Sequence, residues 1–316
     1  MKDLTLRRLD IELSGVCNLH CIWCPYDNKQ KKYKKFMDYN LFLKILDDIG
    51  NRTPRLALMA YGEITLYPRV MEALQEIEKR GYHCHQIYTN GTNLSEEISR
   101  FIVRSPSVEL IDLSIYGNSD ESFNKHTNTK GLFAKVRDNM IRFSEIAADR
   151  NNFRYPTPKI IYNIVPEDDY EKTHEFWDYY KDRINYMREE ILGDKYTKVP
   201  KGLSRRAMSP IMDMNNVSGN IARYKTKIHF CGPTQILSRA VVFPNGDVSF
   251  CCLDTFMRGK IGNVTEDNIL DIFNSKIVKR YREDFLKGNC VDNPLCSTCE
   301  FSTFRPIPKK YRNLVI

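Results

Sequence analysis

From Arg8 to about Ile191 the chain alternates short β-rich apolar runs with stretches whose apolar residues recur at helical spacing. The run Leu9 to Leu13 opens the series as a strand. Tyr39 to Ile49 carries Leu41, Ile45, Leu46 and Ile49 on one helical face and stops at Gly50. Arg55 to Ala60 reads as the second strand, and Val70 to Lys79 as a helix through Met71, Leu74 and Ile77 that ends at Gly81. His85 to Thr89 is the third strand, followed by a helix from Ser95 to Val103 with Ser95 as its cap. Val108 to Ile115 predicts the fourth strand and Leu132 to Ala148 a long helix. Lys159 to Val165 predicts the fifth strand, Tyr170 to Arg183 another helix, and Tyr186 to Leu192 a sixth strand. Strands alternating with helices imply an α/β fold with parallel pairing, right-handed crossovers and functional loops at the C-terminal strand ends.

Between Gly193 and Ile228 this periodicity stops. Lys195, Lys198, Lys201, Arg205, Arg206, Arg223, Lys225 and Lys227 face only Asp194 and Asp213 there, which reads as a solvated linker or a substrate lid for an anionic ligand. Val241 to Phe250 then predicts a β-hairpin turning at Asn245-Gly246, followed by helices over Asp267 to Phe273 and Ile277 to Leu286. The expected organisation is a barrel-like region over 1–192, a basic linker or lid over 193–229, and a small hairpin-and-helix domain over 230–316.

Composition narrows the class. With 316 residues and 42% apolar side chains the chain can bury a real core, and no segment is apolar enough to suggest a membrane helix. Ten cysteines in a lysine-rich chain without a secretion signal point to metal binding in a reducing compartment, hence to a soluble cytoplasmic protein. The formal charge of +8 includes Lys31, Lys32, Lys34 and Lys35, interleaved with Tyr33 and Phe36. That run is a solvated loop, or else it docks an acidic electron donor or an anionic substrate. No recognised nucleic-acid module accompanies it. Cys84, between His83 and His85, reads as a core thiol, and His20, His126, His174 and His229 have no ligand pattern.

Cys17-Asn18-Leu19-His20-Cys21-Ile22-Trp23-Cys24 follows the first strand directly. Three thiolates on such a loop can ligate three corners of a cubane iron–sulfur cluster and leave the fourth iron open. Structural zinc loops instead favour Cys-x2-Cys pairs repeated at a distance. The Cys-x3-Cys-x2-Cys spacing, with Trp23 before the third cysteine, resembles the signature of the radical S-adenosylmethionine (radical SAM) enzymes. That resemblance implies an open, partial (β/α)6 TIM-like barrel and a 4Fe–4S cluster on Cys17, Cys21 and Cys24. It also implies that the open iron chelates SAM, that one electron releases a 5′-deoxyadenosyl radical, and that flavodoxin or ferredoxin supplies the electron.

Strand-end loops extend the resemblance. Tyr61-Gly62-Glu63-Ile64 is similar to the family's Gly-Gly-Glu-Pro motif at Gly62 and Glu63, and departs from it at Tyr61 and Ile64. Glu63 is thereby expected to accept from the SAM ammonium group, although a plain surface turn has the same composition. Thr89-Asn90-Gly91-Thr92 resembles the family's Thr-Asn-Gly turn beside SAM. Ser114-Ile115-Tyr116-Gly117 resembles Ser-x-Asp-Gly, with Tyr116 in place of the Asp. Trp23, Gly62, Glu63, Thr89, Asn90, Ser114 and Asn163 are the cofactor-side residues that the resemblance implies.

Six further cysteines, Cys231, Cys251, Cys252, Cys290, Cys296 and Cys299, lie beyond residue 230. Cys231-x14-Gly-x4-Cys251 and Cys296-x2-Cys299 resemble the auxiliary-cluster region of radical SAM enzymes, in its SPASM or its shorter twitch form. Too few cysteines are present for two auxiliary clusters. The expectation is therefore a twitch domain with one 4Fe–4S cluster on Cys231, Cys251, Cys296 and Cys299, or a zinc site on the same thiolates. An auxiliary cluster can take up one electron, which suits two-electron oxidation of a carbinol, as in twitch-bearing dehydrogenases of the family. Cys252 is the alternative catalytic residue, as the hydrogen-atom donor of a sugar or peptide epimerase. Maturation of a peptide or protein is a third reading. Sixteen residues before Cys17 leave little room for a leader-binding domain, which favours a small polar sugar or aminocyclitol. The non-enzyme alternative is an iron–sulfur or zinc scaffold.

Overall fold

Strand β1 (Arg8–Ile11) buries Leu9 and Ile11 on one side, while Asp10 on the other is also fully buried. In this computed structural model the described residues are 2–22, 24–28, 30–52, 54–59, 61–154, 158–164, 179, 182–184, 186, 190, 203–207, 230–231, 235–252, 254, 256–287, 293–296 and 302–303. Helix α1 (Tyr39–Ile49) starts where Asp38 accepts from the Asn40 and Leu41 amides, and it buries Phe42, Ile45, Leu46 and Ile49. Strand β2 (Arg55–Leu58), helix α2 (Val70–Lys79) and strand β3 (Cys84–Thr89) follow. Helix α3 (Glu96–Arg104) is capped by Ser95, as its sequence predicts, and leads to strand β4 (Leu110–Ile115). Helices α4 (Asp120–Thr127) and α5 (Phe133–Ala148) precede strand β5 (Lys159–Ile164) and strand β6 (Leu203–Ala207).

The C-terminal part contains β7 (Phe230–Cys231), α6 (Gln235–Ser238), β8 (Arg239–Val242), β9 (Asp247–Ser249) and β10 (Lys260–Asn263). It ends with α7 (Ile269–Phe273), α8 (Lys276–Leu286) and β11 (Ser302–Thr303). Contacts divide the chain into one unit of Met1–Val16, Trp23–Gly62 and Asp213–Ile316, and a second of Cys17–Ile22 and Glu63–Met212. In the first unit the strand order is β10-β9-β8-β1-β2, with β2 and β8 both parallel to β1. In the second, β3-β4-β5-β6 run parallel throughout. The result is an α/β fold with an open, largely parallel sheet.

Three findings revise the sequence reading. The sixth strand is Leu203–Ala207, paired in parallel with β5, whereas Tyr186 and Glu190 in the expected strand Tyr186 to Leu192 are helical. Leu203-Ser204-Arg205-Arg206-Ala207 is too polar to stand out as a strand, so ladder pairing overrides its propensity. Helix α4 lies in the polar stretch after β4, where the apolar pattern predicts no element; it is held by the Ser119 cap and ends at Asn128, whose φ is 48°. The C-terminal hairpin also lies directly beside β1, with Leu9 opposite Ala240 and Ile11 opposite Val242. Its turn places Gly246 at φ 87° and closes on the Phe243 carbonyl, a three-residue connection. Val241, Val242 and Phe243 are fully buried by that pairing. Each buried side chain of this size contributes roughly 1.5–3 kcal/mol.

Trp23, Cys290, Cys299, most of the expected helix Tyr170 to Arg183 and most of 193–229 lie outside the described residues. The side chains of Asn163 and Cys231 do so as well. No helix among the described residues is long and apolar enough to cross a membrane.

Candidate functional site

In the second unit, β3 ends at Thr89 and its turn is organised by Glu63, which is 3% exposed. Glu63 Oε1 accepts from the Thr65 amide at 3.0 Å, from Thr65 Oγ1 at 2.6 Å and from Thr89 Oγ1 at 2.6 Å. Its Oε2 accepts from the Asn90 amide at 2.6 Å. Burial pushes the Glu63 carboxyl pKa up, and these donors oppose the rise without cancelling it. The carboxylate expected at the SAM ammonium group is thus also the anchor of the Thr89 to Thr92 turn. Its remaining acceptor capacity lies on Oε2.

Asn90 carries that anchoring to the cysteine loop. Its Oδ1 accepts from the Thr92 amide at 2.9 Å and Thr92 Oγ1 at 2.7 Å, so its Nδ2 faces Cys17 Sγ at 3.7 Å and Asn18 Oδ1 at 3.4 Å. Gly91 sits at φ 76°, where an added Cβ would stand 2.7 Å from Met140 Cε. Asn139 Nδ2 donates to the Gly91 carbonyl at 2.8 Å and closes the turn from α5. The loop itself hangs on the end of α4 through His20 N–H to Thr127 O at 2.9 Å and Ile22 N–H to His126 O at 3.1 Å. Ser114 is buried at the end of β4, and its register partner on β5 is Asn163.

In the first unit, Glu12 beyond the end of β1 accepts from the Tyr61 and Gly62 amides through Oε1, at 2.9 and 3.1 Å. The close approach that requires Gly62 is to the chain itself, because a Cβ there would stand 1.8 Å from the Ser14 carbonyl oxygen. Cys24 and Cys252 both pack against a buried cluster of Tyr33, Tyr61, Val241, Phe243 and Met257. Cys251 is 9% exposed and lies in a loop clamped by Asp254. Asp254 accepts from Ser249 Oγ at 2.8 Å and from the Arg258 and Gly259 amides at 2.9 and 2.8 Å. Burial raises the Asp254 pKa against those donors.

Behind Cys252, the buried Arg239 guanidinium pairs with Asp10, and Arg8 Nε adds a second ion pair to Asp10 at 2.7 Å. Burial pushes the Cys252 thiol pKa up, and the Arg239 charge pulls it back. Cys296 is presented by Asn293, whose Oδ1 accepts from the Leu295 and Cys296 amides at 3.0 and 2.9 Å. Cys231 on β7 is the register partner of Ser302, three residues beyond Cys299 in the chain. Among the described residues no three His, Cys, Asp or Glu side chains stand close enough together to hold an ion.

Sequence reasoning missed Asp10, Glu12, Asn18, Thr92, Asn139, Arg239 and Asp254 as supports. Asp10 and Glu12 did leave a signal, alternating with Leu9, Ile11 and Leu13 in a run otherwise apolar enough for a strand buried on both faces.

Residues 11–181 match the model of the radical SAM superfamily, and residues 231–300 that of SPASM, an iron–sulfur cluster-binding domain. The structure of BtrN in complex with AdoMet and 2-DOIA is similar, with a TM-score of 0.56, 17% identity, and coverage of 95% of this chain and 94% of that one. That likeness carries the fold, a partial TIM-like barrel with an added C-terminal region. A cysteine-type anaerobic sulfatase-maturating enzyme of Clostridium novyi is 23% identical over 339 residues, 94% of this chain and 87% of its own length. A tungsten-containing aldehyde ferredoxin oxidoreductase cofactor-modifying protein of Pyrococcus furiosus is 38% identical over 96 residues. That match spans 29% of this chain and about a quarter, 26%, of the relative's length.

Proposed function

Because this chain belongs to the radical SAM superfamily, we propose that it abstracts hydrogen from a small polar substrate of the sugar or aminocyclitol class and oxidises a carbinol to a ketone. Family membership brings a SAM-binding 4Fe–4S cluster, and the SPASM match brings an auxiliary iron–sulfur site. When bound, the first supplies the electron that releases a 5′-deoxyadenosyl radical from SAM, and the second an acceptor for the electron left by a two-electron oxidation. The residues fit the first group. Cys17, Cys21 and Cys24 offer three thiolates on one loop, and the Asn90 amide faces the Cys17 sulfur as a donor suited to an electron-rich ligand. Glu63 and the Thr89–Asn90 turn orient SAM, with Ser114 and Asn163 on its adenosine side. Cys231, Cys251, Cys296 and Cys299 hold the auxiliary cluster, and an acidic flavodoxin or ferredoxin delivers the electron.

The observation that carries oxidation over epimerisation is the contrast between two adjacent thiols. Cys251 is tied through its backbone to Ser249 and Asp254 of the clamped loop, whereas Cys252 packs against the Tyr33, Tyr61, Val241, Phe243 and Met257 cluster. The same cluster also touches Cys24, which supports Cys252 as hydrogen donor in a second, epimerase reading. The long match to a sulfatase-maturating enzyme supports a peptide substrate as the alternative to a small one.

Reconstituted enzyme in deuterated water with candidate sugars, aminocyclitols and peptides decides among these. A dehydrogenase gives product lighter than substrate by two hydrogens, with turnover nearly intact in Cys252→Ala. Product isobaric with substrate, carrying solvent deuterium in the wild type and none in Cys252→Ala, overturns the assignment in favour of epimerisation.

A further inference from the structure

The Asn90 side chain is oriented by chemistry that leaves no choice of amide flip. Its Oδ1 faces the backbone N–H of Thr92 at 2.9 Å, and an N–H can only donate, so the atom facing it must be the oxygen. Thr92 Oγ1 contacts the same atom at 2.7 Å. The amide nitrogen is therefore the atom at 3.7 Å from Cys17 Sγ. Both ends of this arrangement are braced. Asn90 is 5% exposed and its backbone N–H is fixed on Glu63 Oε2, while Asn18, next to Cys17, is tied to Thr92 Oγ1 at 3.1 Å and to Asn90 Nδ2 at 3.4 Å.

We propose that Asn90 is a positioning residue that sets the reduction potential of the SAM-side cluster by donating an amide hydrogen bond to the Cys17 sulfur. The physical ground is general. A reduced cluster carries one more negative charge than the oxidised one, and a donor aimed at a ligand sulfur stabilises that extra charge. A buried donor is also screened little by solvent. The Glu63 carboxylate then has a role apart from SAM, because it fixes the backbone from which the donor projects. This inference rests on the reading that Cys17 ligates the cluster, and Cys17→Ala tests that reading separately by the loss of SAM-side iron.

The experiment is an anaerobic redox titration of the reconstituted enzyme without SAM, followed by electron paramagnetic resonance. Asn90→Leu keeps the shape and removes the donor. At a fixed potential its ratio of reduced to oxidised SAM-side cluster should fall about tenfold, which is about 59 mV for a one-electron couple. Asn90→Asp, which keeps an acceptor for Thr92 but places negative charge toward the sulfur, should fall further. Iron content and the auxiliary signal should stay at wild-type levels. Thr92→Val leaves Asn90 in place and removes one anchor of its Oδ1; it should shift the ratio in the same direction by about two- to threefold, and it decides the matter if the Asn90 variants do not assemble. An unchanged ratio with full iron overturns the proposal. So does a loss of SAM affinity with no change of ratio, which would make Asn90 a ligand contact and nothing more.

Discussion

Glu63 and Asp247 are both nearly inaccessible, at 3% and 2% exposure, yet burial has opposite consequences for them. Around Glu63 every donor named above is neutral, and the penalty of burying a charge wins, so its pKa rises. Around Asp247, burial also pushes upward, but hydrogen bonds from Lys260, Asn245, Asn263 and Tyr33 outweigh it and bring the pKa down to about 2. Lys260 Nζ stands 2.5 Å from Oδ1, and Lys32 from the lysine-rich loop adds a longer pair at 3.8 Å to Oδ2. The turn beside Cys17 is thus set by directional hydrogen bonds, and the hairpin that carries Cys251 is pinned by charge. The largest test of this contrast removes the proposed cluster ligands. Replacing Cys17, Cys21 and Cys24 by Ala should remove about half the iron and all 5′-deoxyadenosine release. The thermal transition should barely move, because the loop backbone stays tied to Thr127 and His126. Zinc retained at the C-terminal site, with iron for one cluster in the wild type, would refute the auxiliary-cluster assignment.

Glu63→Ala strikes the neutral hub alone. The substitution leaves all the proposed cluster cysteines in place, but it strips the acceptor from two amides and two hydroxyls and frees the Asn90 backbone. A charge-assisted hydrogen bond is worth roughly 1.5–3 kcal/mol, so SAM affinity should fall by about ten- to a hundredfold. Calorimetric titration of reconstituted protein measures this. Intact iron with unchanged SAM affinity would leave Glu63 a purely structural anchor.

How much of this was legible beforehand follows from the range of each interaction. The cysteine spacing, the Ser95 cap and the helical faces are local, and they stand in the sequence within a few residues of one another. Strand β6 was not legible, because Leu203 to Ala207 has one apolar residue at each end and gains its place from pairing with β5. Nor was the docking of β8 on β1, which joins residues more than two hundred positions apart. The same holds for the site. Asn90 was visible as part of a motif, but its hydrogen bond to Cys17 spans 73 positions and depends on Thr92 for its direction. Asp247 read simply as a residue after an Asn-Gly turn, since nothing local announces Lys260 or Tyr33 as partners.

The smallest effect is the sharpest test of the charge-pinned side. Asp247 has a folded pKa depressed below its unfolded value, so its contribution to stability is complete above about pH 4 to 5 and disappears as pH falls toward 2. The shift from 3.8 to about 2, discounted for the half-exposed Lys32 and Lys260, corresponds to about 1–2 kcal/mol. Urea unfolding of metal-free wild type and Asp247→Asn should therefore separate the two at pH 5. By pH 3 the gap should shrink by about 1 kcal/mol, because the unfolded Asp is by then mostly protonated while the folded one is not. Raised salt at pH 5 should narrow it too, since both lysines reach solvent. Tyr33→Phe supplies the control, removing a neutral donor at 2.9 Å from Oδ2 without touching either cation. It should cost about 1 kcal/mol at both pH values. A gap between wild type and Asp247→Asn that does not narrow with salt at pH 5 would mean that Asn245, Asn263 and Tyr33 hold the turn without help from the lysine charges, and the two carboxylates would then anchor their loops in the same way.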